Sequence, residues 1–271
     1  MADMKGRVLI IAGSDSGGGA GIQADIKAVT ALGGFAMTAI TALTAQNTQG
    51  VHGIHDVPDD FVAEQIRVVL DDIGADCIKL GMLHRPEIIE TVVSALEELA
   101  PGVPVVADPV MVAKGGASLL ADAAQDALKA RVLPAATLIT PNIPEAEVLT
   151  GHDIRTADDM PAAADALLAM GPNAVLLKGG HLQGTDTLTD LLAMQDGSRT
   201  FEARRIDTPN THGTGCTLAS AVACGIAQGM SLADAVGRAH AYVLEAIRTN
   251  PGFGTGHGPL NHTHTVRDFG A

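Results

Sequence analysis

The strongest constraint in this chain is a rhythm. Short runs rich in branched aliphatic residues, "VLIIAG" (8–13), "AMTAITAL" (36–43), "DCIKLGM" (76–82), "VPVVAD" (103–108), "ATLITP" (136–141) and "NAVLLKGG" (173–180), recur along the chain. Stretches with helical apolar spacing lie near 20–32, 59–72, 86–99, 121–132, 156–169, 214–228 and 232–248. Strands separated by helices are the signature of βαβ units and a mostly parallel sheet. The runs are continuously apolar, so helices must cover both faces. The expected fold is therefore α/β, a doubly wound, mostly parallel sheet flanked by helices. "TLTDLLAMQDGSRTFEARRI" (187–206) breaks the rhythm and reads as two strands joined at "QDGS", an Asp-Gly hairpin signal that predicts an antiparallel edge hairpin. No linker, repeat or low-complexity segment interrupts residues 1–271, which read as one domain. The tail "GFGTGHGPLNHTHTVRDFGA" is the one long irregular segment.

Composition narrows the function. Hydrophobic residues make up 46% of the chain and aromatics only 2%, so the core must be built from Ala, Val, Ile and Leu. A formal charge of -14 disfavours a surface that tracks DNA or RNA phosphates. An anionic ligand would need local donors and a metal to overcome that field. The cysteines Cys77, Cys216 and Cys224 form neither a CxxC pair nor an even-numbered framework, which points to a reducing, cytoplasmic setting. The N-terminal apolar run is too short for a signal peptide core or a membrane span, and it reads as a first strand.

In open sheets of this kind ligands bind outside the carboxyl ends of the strands, and the polar motifs fall there. "GSDSGGGAGIQAD" (13–25) follows the first strand and opens a helix. Gly19, Gly21 and Ala24 match a G-x-G-x-x-A pattern, but the second strand ends in Gln46 and Asn47 instead of an acid. The stretch reads as a close backbone approach to a small ligand, or as a tight turn with helix capping by Ser16. No P-loop pattern occurs. Gln46 can pair with an exocyclic amine and the adjacent ring nitrogen of an aminopyrimidine, or it is a turn-stabilising amide. Asp108, Asn142 and Glu145 at strand ends suit a hydrated Mg²⁺, while Asn142 and Glu145 also make nearly a capping box. Lys178 can place a point charge on a nucleotide phosphate, or it snorkels.

"NTHGTGCTLASAVACG" (210–225) starts as a glycine turn and continues with helical spacing from Thr214. A helix N-terminus with free amides binds anions and stabilises developing negative charge. Cys216 lies in its first turn, where a thiol pKa is commonly lowered; a packed, inert thiol fits the same pattern. A bridge to Cys224 fails on spacing, since eight residues leave the two about 80° apart around a helix. His257, His262 and His264 suggest metal less than a loose or ligand-covering tail.

Together "GSDSGGGAGIQAD", "TALTAQNT", "KLGML", "DPVMVAKGG", "LITPNIPEAEVL", "LLKGGHL" and "NTHGTGCTLASAVA", in order from residue 8 to about 249, closely resemble the hydroxymethylpyrimidine/phosphomethylpyrimidine kinases of thiamin biosynthesis, members of the ribokinase-like superfamily. The resemblance implies a ribokinase-like fold, usually a homodimer. It further implies phosphoryl transfer from ATP, with Mg²⁺, to the pyrimidine alcohol and then to its monophosphate. It assigns Gln46 to the aminopyrimidine edge, with Gly13, Asp25, Met82 and Val110 lining the same pocket. The lack of other nearby basic residues in the motifs makes Lys114 the expected contact to the phosphate of the monophosphate substrate. Asp108 and Glu145 would serve Mg²⁺, and Lys178, Asn142 and Glu145 the nucleotide. Gly213, Thr214, Gly215 and Cys216 would form the anion hole, with Cys216 where broader relatives carry an Asp base. The family often reads Ser-Gly-Asp after Lys114, whereas this chain reads Gly115, Gly116 and Ala117. Pyridoxal kinase is the neighbouring expectation, disfavoured by Gln46. A non-catalytic nucleotide or vitamin binder is the different-class one, disfavoured by the intact "GTGC".

Overall fold

The computed structural model describes residues 4–111, 122–182, 184 and 186–266. Among the described residues the strands are β1 (Arg7–Asp15), β2 (Phe35–Asn47), β3 (Gly50–Asp56), β4 (Cys77–Leu80), β5 (Val105–Ala107), β6 (Leu138–Ile139), β7 (Ala174–Lys178), β8 (Thr187–Met194) and β9 (Gly197–Arg204). They form one sheet in the order β3-β2-β1-β4-β5-β6-β7-β8-β9. The pairs from β2 through β7 are parallel, and β2–β3, β7–β8 and β8–β9 are antiparallel. The doubly wound, mostly parallel sheet is present, with the hairpin at the expected edge.

Alternation along β1 shows why the apolar runs are continuous. Leu9 and Ile11 enter the layer that packs α2 (Asp59–Asp72), α3 (Pro86–Leu99), α6 (Ile143–Thr150) and α7 (Met160–Leu168). Val8 and Ile10 enter the opposite layer, with α1 (Gly21–Ala31), α8 (Thr214–Ala227) and α9 (Leu232–Arg248). Each face is buried under helices, so neither tolerates a polar residue without a partner. Between β5 and β6 run α4 (Asp122–Ala127), a π-helical turn (Leu128–Val132) and the short α5 (Leu133–Ala135).

Two local features differ from expectation. The hairpin turn is centred one residue early: Met194 pairs with Gly197, leaving Gln195 and Asp196 as the loop. Gly197 carries the positive φ of +145° at the start of β9, and among the described residues no non-glycine has positive φ, so Asp196 takes no left-handed role. The second difference is β3, which pairs with the end of β2 across a register shift between Ala45 and Gln46. Most of β3 is solvent-exposed, so "GVHGIHD" carries no apolar alternation to announce a strand.

Chain order runs from β1 outward to β2 and then back across β1 to β4, so the sheet has its switch point at β1. Crevices outside the carboxyl ends of strands open at such points. The helix α8 fills the face beneath that crevice, pressed against α9 at Gly225, where a β-carbon would stand 2.7 Å from Ala235 Cβ. Replacing Gly225 with Leu is expected to lower stability by about 1–3 kcal/mol through overpacking, outweighing its better helix propensity of about 1 kcal/mol. A drop in thermal midpoint with helical circular dichroism retained below it is the measurable result.

Candidate active site

A cavity of about 770 Å³ opens along the carboxyl ends of the strands. Gly13 to Asp15 of β1, Gln46 of β2, Met82 just past β4, Asp108 and Val110 past β5, Asn142 past β6 and Lys178 of β7 all border it. The start of α8, Gly213 to Cys216, closes it from the side.

One end of the cavity is built around Asp15. Its carboxylate accepts hydrogen bonds from the amides of Gly17 at 2.8 Å, Gly19 at 3.0 Å and Ala20 at 2.8 Å, which folds the glycine stretch into a turn. Its fourth partner is His212 Nε2 at 2.9 Å. Burial alone would raise Asp15, but His212 and the amides outweigh it and hold the carboxyl below its ordinary range. An ionised Asp15 accepts only, so His212 Nε2 is the donor.

That fixes the state of Gln46, whose Nε2 lies 3.4 Å from the same His212 Nε2. A nitrogen already donating to Asp15 cannot accept from the Gln46 amide. On the other side Thr44 Oγ1 lies 2.8 Å from Ser14 O and 3.0 Å from Gln46 Oε1, and its single hydrogen serves only one of them. The Gln46 carboxamide therefore keeps unspent hydrogen-bonding capacity on the cavity wall. Ser16 does not cap α1, since its Oγ pairs with the Gln46 backbone and α1 starts after Ala20 with no side-chain cap.

The other end is built for negative charge. Gly213 caps α8 with φ +83° and ψ 10°, and a β-carbon there would collide with the Gly19 carbonyl. Only glycine fits both the left-handed backbone and the close approach. No side chain caps α8 and no acid lies in its first turn, so its first amides face the cavity with the positive end of the helix. Opposite them, Asp108 Oδ1 accepts from Thr140 Oγ1 and Lys178 Nζ, each at 2.9 Å. A β-carbon on Gly215 would stand 3.2 Å from both Asp108 Oδ2 and Lys178 Nζ, so this glycine leaves the space between turn and ion pair open. Burial works against charge on Asp108, but Lys178 and then Lys79 hold its carboxyl below the usual range. Burial likewise pulls Lys178 down, and Asp108 and Glu145 reverse it. Glu145 closes a capping box with Asn142, with bonds of 2.9 and 2.8 Å. Burial, opposed by Lys178 and reinforced by Asp108, pushes Glu145 up to about 7.

Beneath the anion end lies a buried ion pair. Lys79 Nζ is 3.0 and 2.9 Å from the two oxygens of Asp25, and Ser220 Oγ donates to Asp25 at 2.7 Å. Both charged side chains are fully enclosed. Burial would neutralise Lys79, but Asp25, with smaller help from Asp108, keeps it protonated.

Most of the expected residues meet at this cavity. Gly13, Gln46, Met82, Val110, Asp108, Asn142, Glu145, Lys178 and Gly213 to Cys216 all border it. Asp25 does not: it sits at 0% exposure behind Lys79, because a carboxylate on the inner face of α1 needs the Lys79 ammonium more than a ligand. Lys114 and the adjacent Gly115, Gly116 and Ala117 lie outside the described residues. Cys216 carries a second correction. Its place in the first turn of α8 argued for a lowered pKa, yet burial dominates and, against the pull of Lys79 and with Asp25 and Asp108 adding to it, pushes the thiol up to about 11. His257 approaches the Pro209 carbonyl, whereas His262 and His264 both pack against Tyr242, with His262 Nδ1 at its hydroxyl.

Asp15, His212 and Lys79 were missed. A signal existed for each: an Asp two residues before a glycine run builds an Asx-type turn, and a Lys inside the apolar run "DCIKLGM" demands a buried counter-ion.

The phosphomethylpyrimidine kinase family profile matches residues 15–261. The chain belongs to that family. It is 48% identical over 255 residues to the hydroxymethylpyrimidine/phosphomethylpyrimidine kinase of Streptomyces coelicolor, covering 94% of this chain and 93% of the relative. It is 51% identical over 264 residues to the thiamine biosynthesis bifunctional protein of Geobacter sulfurreducens, covering 97% of this chain but 54% of that longer protein. Among solved structures, phosphomethylpyrimidine kinase from Clostridium difficile superposes with a TM-score of 0.80 at 42% identity, over 90% of this chain and 100% of the other. The pyridoxal kinase of Staphylococcus aureus, in complex with AMP-PCP and pyridoxal, superposes with a TM-score of 0.89 at 33% identity, over 97% and 96%. The family is thus one of phosphotransferases on a ribokinase-like sheet.

With its pKa near 11, the Cys216 thiol is expected to resist iodoacetamide at neutral pH. The alkylation rate at Cys216, followed by peptide mass spectrometry, should still be climbing above pH 9; a plateau reached by pH 8 would contradict the buried, protonated thiol.

Proposed function

We propose that this kinase uses ATP to phosphorylate 4-amino-5-hydroxymethyl-2-methylpyrimidine and then its monophosphate, giving the diphosphate. Family membership supports the chemistry, and the unspent Gln46 carboxamide carries the choice of ring. An amide pairs with an exocyclic amine and the neighbouring ring nitrogen in one plane, the edge an aminopyrimidine offers. Gly13 and Met82 pack against one another beside it, with Met82 Cε filling the space a β-carbon of Gly13 would take, at 2.5 Å. The ring would lie against this pair with its hydroxymethyl group toward Cys216.

Phosphoryl transfer passes through a loose transition state, so positioning and charge stabilisation outweigh covalent help from the protein. The Gly215 and Cys216 amides in the first turn of α8 would stabilise the negative charge on the transferring group, and Lys178 would share its ammonium between Asp108 and a nucleotide phosphate. Lys79 adds a fixed positive charge to the floor. Cys216 is protonated at neutral pH on this account, so it would take up the alcohol proton only from its minor thiolate form, after its own proton has passed to solvent, and only as the alcohol oxygen becomes committed to the phosphorus.

Mg²⁺ belongs to the proposal. Among the described residues no group of three His, Cys, Asp or Glu side chains is placed to hold a metal. Mg²⁺ keeps most of its waters and needs only one or two carboxylates plus substrate phosphates, so Asp108, with Oδ2 beside the open space at Gly215, and Glu145 fit it as a pair. Bound there with the nucleotide, it would neutralise phosphate charge. A homodimer is part of the reading as well, supported by the exposed Leu43 at the end of β2 and Phe61 on α2, which packs against the face of β2 that Leu43 shares. Among the described residues no helix is long and apolar enough to cross a membrane.

The structural likeness to a pyridoxal kinase favours a second reading, in which pyridoxal is also accepted. A coupled ATPase assay with hydroxymethylpyrimidine, its monophosphate and pyridoxal separates the two. Turnover of both pyrimidines is the expected result, and exclusive turnover of pyridoxal would overturn the proposal. Gln46→Ala should reduce kcat/KM for the pyrimidine by about 1–3 kcal/mol, mainly through KM, because the ring's polar edge loses its partner. Cys216→Ser should lower kcat with KM nearly unchanged, since a hydroxyl ionises far less readily than a thiol. Unchanged turnover would reduce Cys216 to a packing residue.

A further inference from the structure

The glycine-rich tail, the one irregular segment of the sequence, runs back to the polar end of the cavity. At one side it meets the β2–β3 turn, two residues beyond Gln46. Gly256 N donates to Thr48 Oγ1 at 3.3 Å, His257 N to Thr48 O at 2.8 Å, and Gln49 Nε2 to Thr255 Oγ1 at 2.8 Å. At the other side it meets the loop that carries His212. His212 N donates to Gly258 O at 3.1 Å, Gly258 N donates to Asn210 Oδ1 at 3.1 Å, and His212 forms an isolated parallel bridge with Pro259.

The spacing of the glycines matches these contacts. A β-carbon on Gly254 would strike the Thr48 side chain, one on Gly256 the Thr48 carbonyl, and one on Gly258 the Asn210 amide. Glycine at every second residue lets the tail lie flat on both anchors. Its far end is fastened: Leu260 is buried in the α9 layer, Asn261 N donates to Ala246 O at 3.0 Å, and Tyr242 OH lies 2.9 Å from His262 Nδ1. A void of about 90 Å³, lined by Asn47, Thr48, His212 and Pro259 among others, lies between the two anchors. The tail bridges that void.

We propose that residues 254–260 form a strap that sets the separation of Gln46 from His212, and so positions Gln46 for the polar edge of the substrate ring. Residues of the strap touch no reacting atom and act through Gln46, so they are positioning residues. The inference rests on the substrate reading above. It extends that reading by assigning ring recognition to a segment outside the cavity wall.

The test uses the whole chain with Asn210→Ala, which removes the strap bond to Gly258 together with the Asn210–Asn250 bond, and Gly256→Ala, which adds a methyl against the Thr48 carbonyl at a position without left-handed φ. Each is expected to raise KM for hydroxymethylpyrimidine about tenfold while kcat and KM for ATP stay within about twofold. In a Gln46→Ala background the same substitutions should add less than about twofold, because the group they position is gone. An unchanged pyrimidine KM in a folded variant would overturn the strap. So would an equal loss in kcat and both KM values, or a full multiplicative loss on top of Gln46→Ala. Should Gly256→Ala fail to fold, Asn210→Ala alone decides. If the wild-type chain phosphorylates pyridoxal and neither pyrimidine, the substrate reading fails by itself, and the same KM comparison on pyridoxal tests the strap.

Discussion

The arrangement of this site depends on one buried ion pair. Lys79 comes from β4, Asp25 from α1 and Ser220 from α8, and their contacts of 2.7 to 3.0 Å tie a strand to two helices on the same face. Two isolated charges could not be enclosed this way; each exists because the other does, with Ser220 satisfying a further carboxylate position. The consequence is positional. The start of α8, where the first amides face the cavity, is held at a fixed height above the sheet by a residue one and a half turns further along the same helix. Removing one partner would strand a charge in the interior, which costs about 3–5 kcal/mol.

The two ends of the cavity are also joined above this pair. Gly213 touches the Gly19 carbonyl, so the turn organised by Asp15 and the turn that opens α8 rest on each other. His212, adjacent in sequence to Gly213, donates to Asp15 and stands beside Gln46. The groups proposed to recognise the ring and those proposed to stabilise the phosphoryl group are therefore joined through His212 and Gly213, and the contact of Gly213 with Gly19 is what brings the two ends together.

The fold was legible because its strands bury both faces, which writes unbroken aliphatic runs into the chain. The site was legible where residues sit at strand ends: Gln46, Asp108 and Lys178 follow directly from the rule that ligands bind there. β3 was not, since an exposed edge strand leaves no apolar period. Asp25 was misplaced because a buried carboxylate and a ligand-binding one look alike in a helix until the counter-ion is seen. Lys79 was overlooked for the complementary reason. Cys216 shows the limit of local rules: a helix N-terminus favours a thiolate, but only the packing around it reveals that desolvation is the larger effect. The tail contacts join residues about two hundred positions apart, and no local pattern encodes them.

That raised thiol has a bearing on how such an enzyme endures oxidising conditions. Peroxides attack thiolates, and susceptibility follows thiolate character and exposure. A cysteine held near 11 keeps almost none of its thiolate form at neutral pH, and Cys77 and Cys224 are buried with their thiols pushed upward too. Desolvation thus keeps the thiols of Cys77, Cys216 and Cys224 protonated, so a cysteine beside the proposed reacting group would cost the enzyme little in chemical durability.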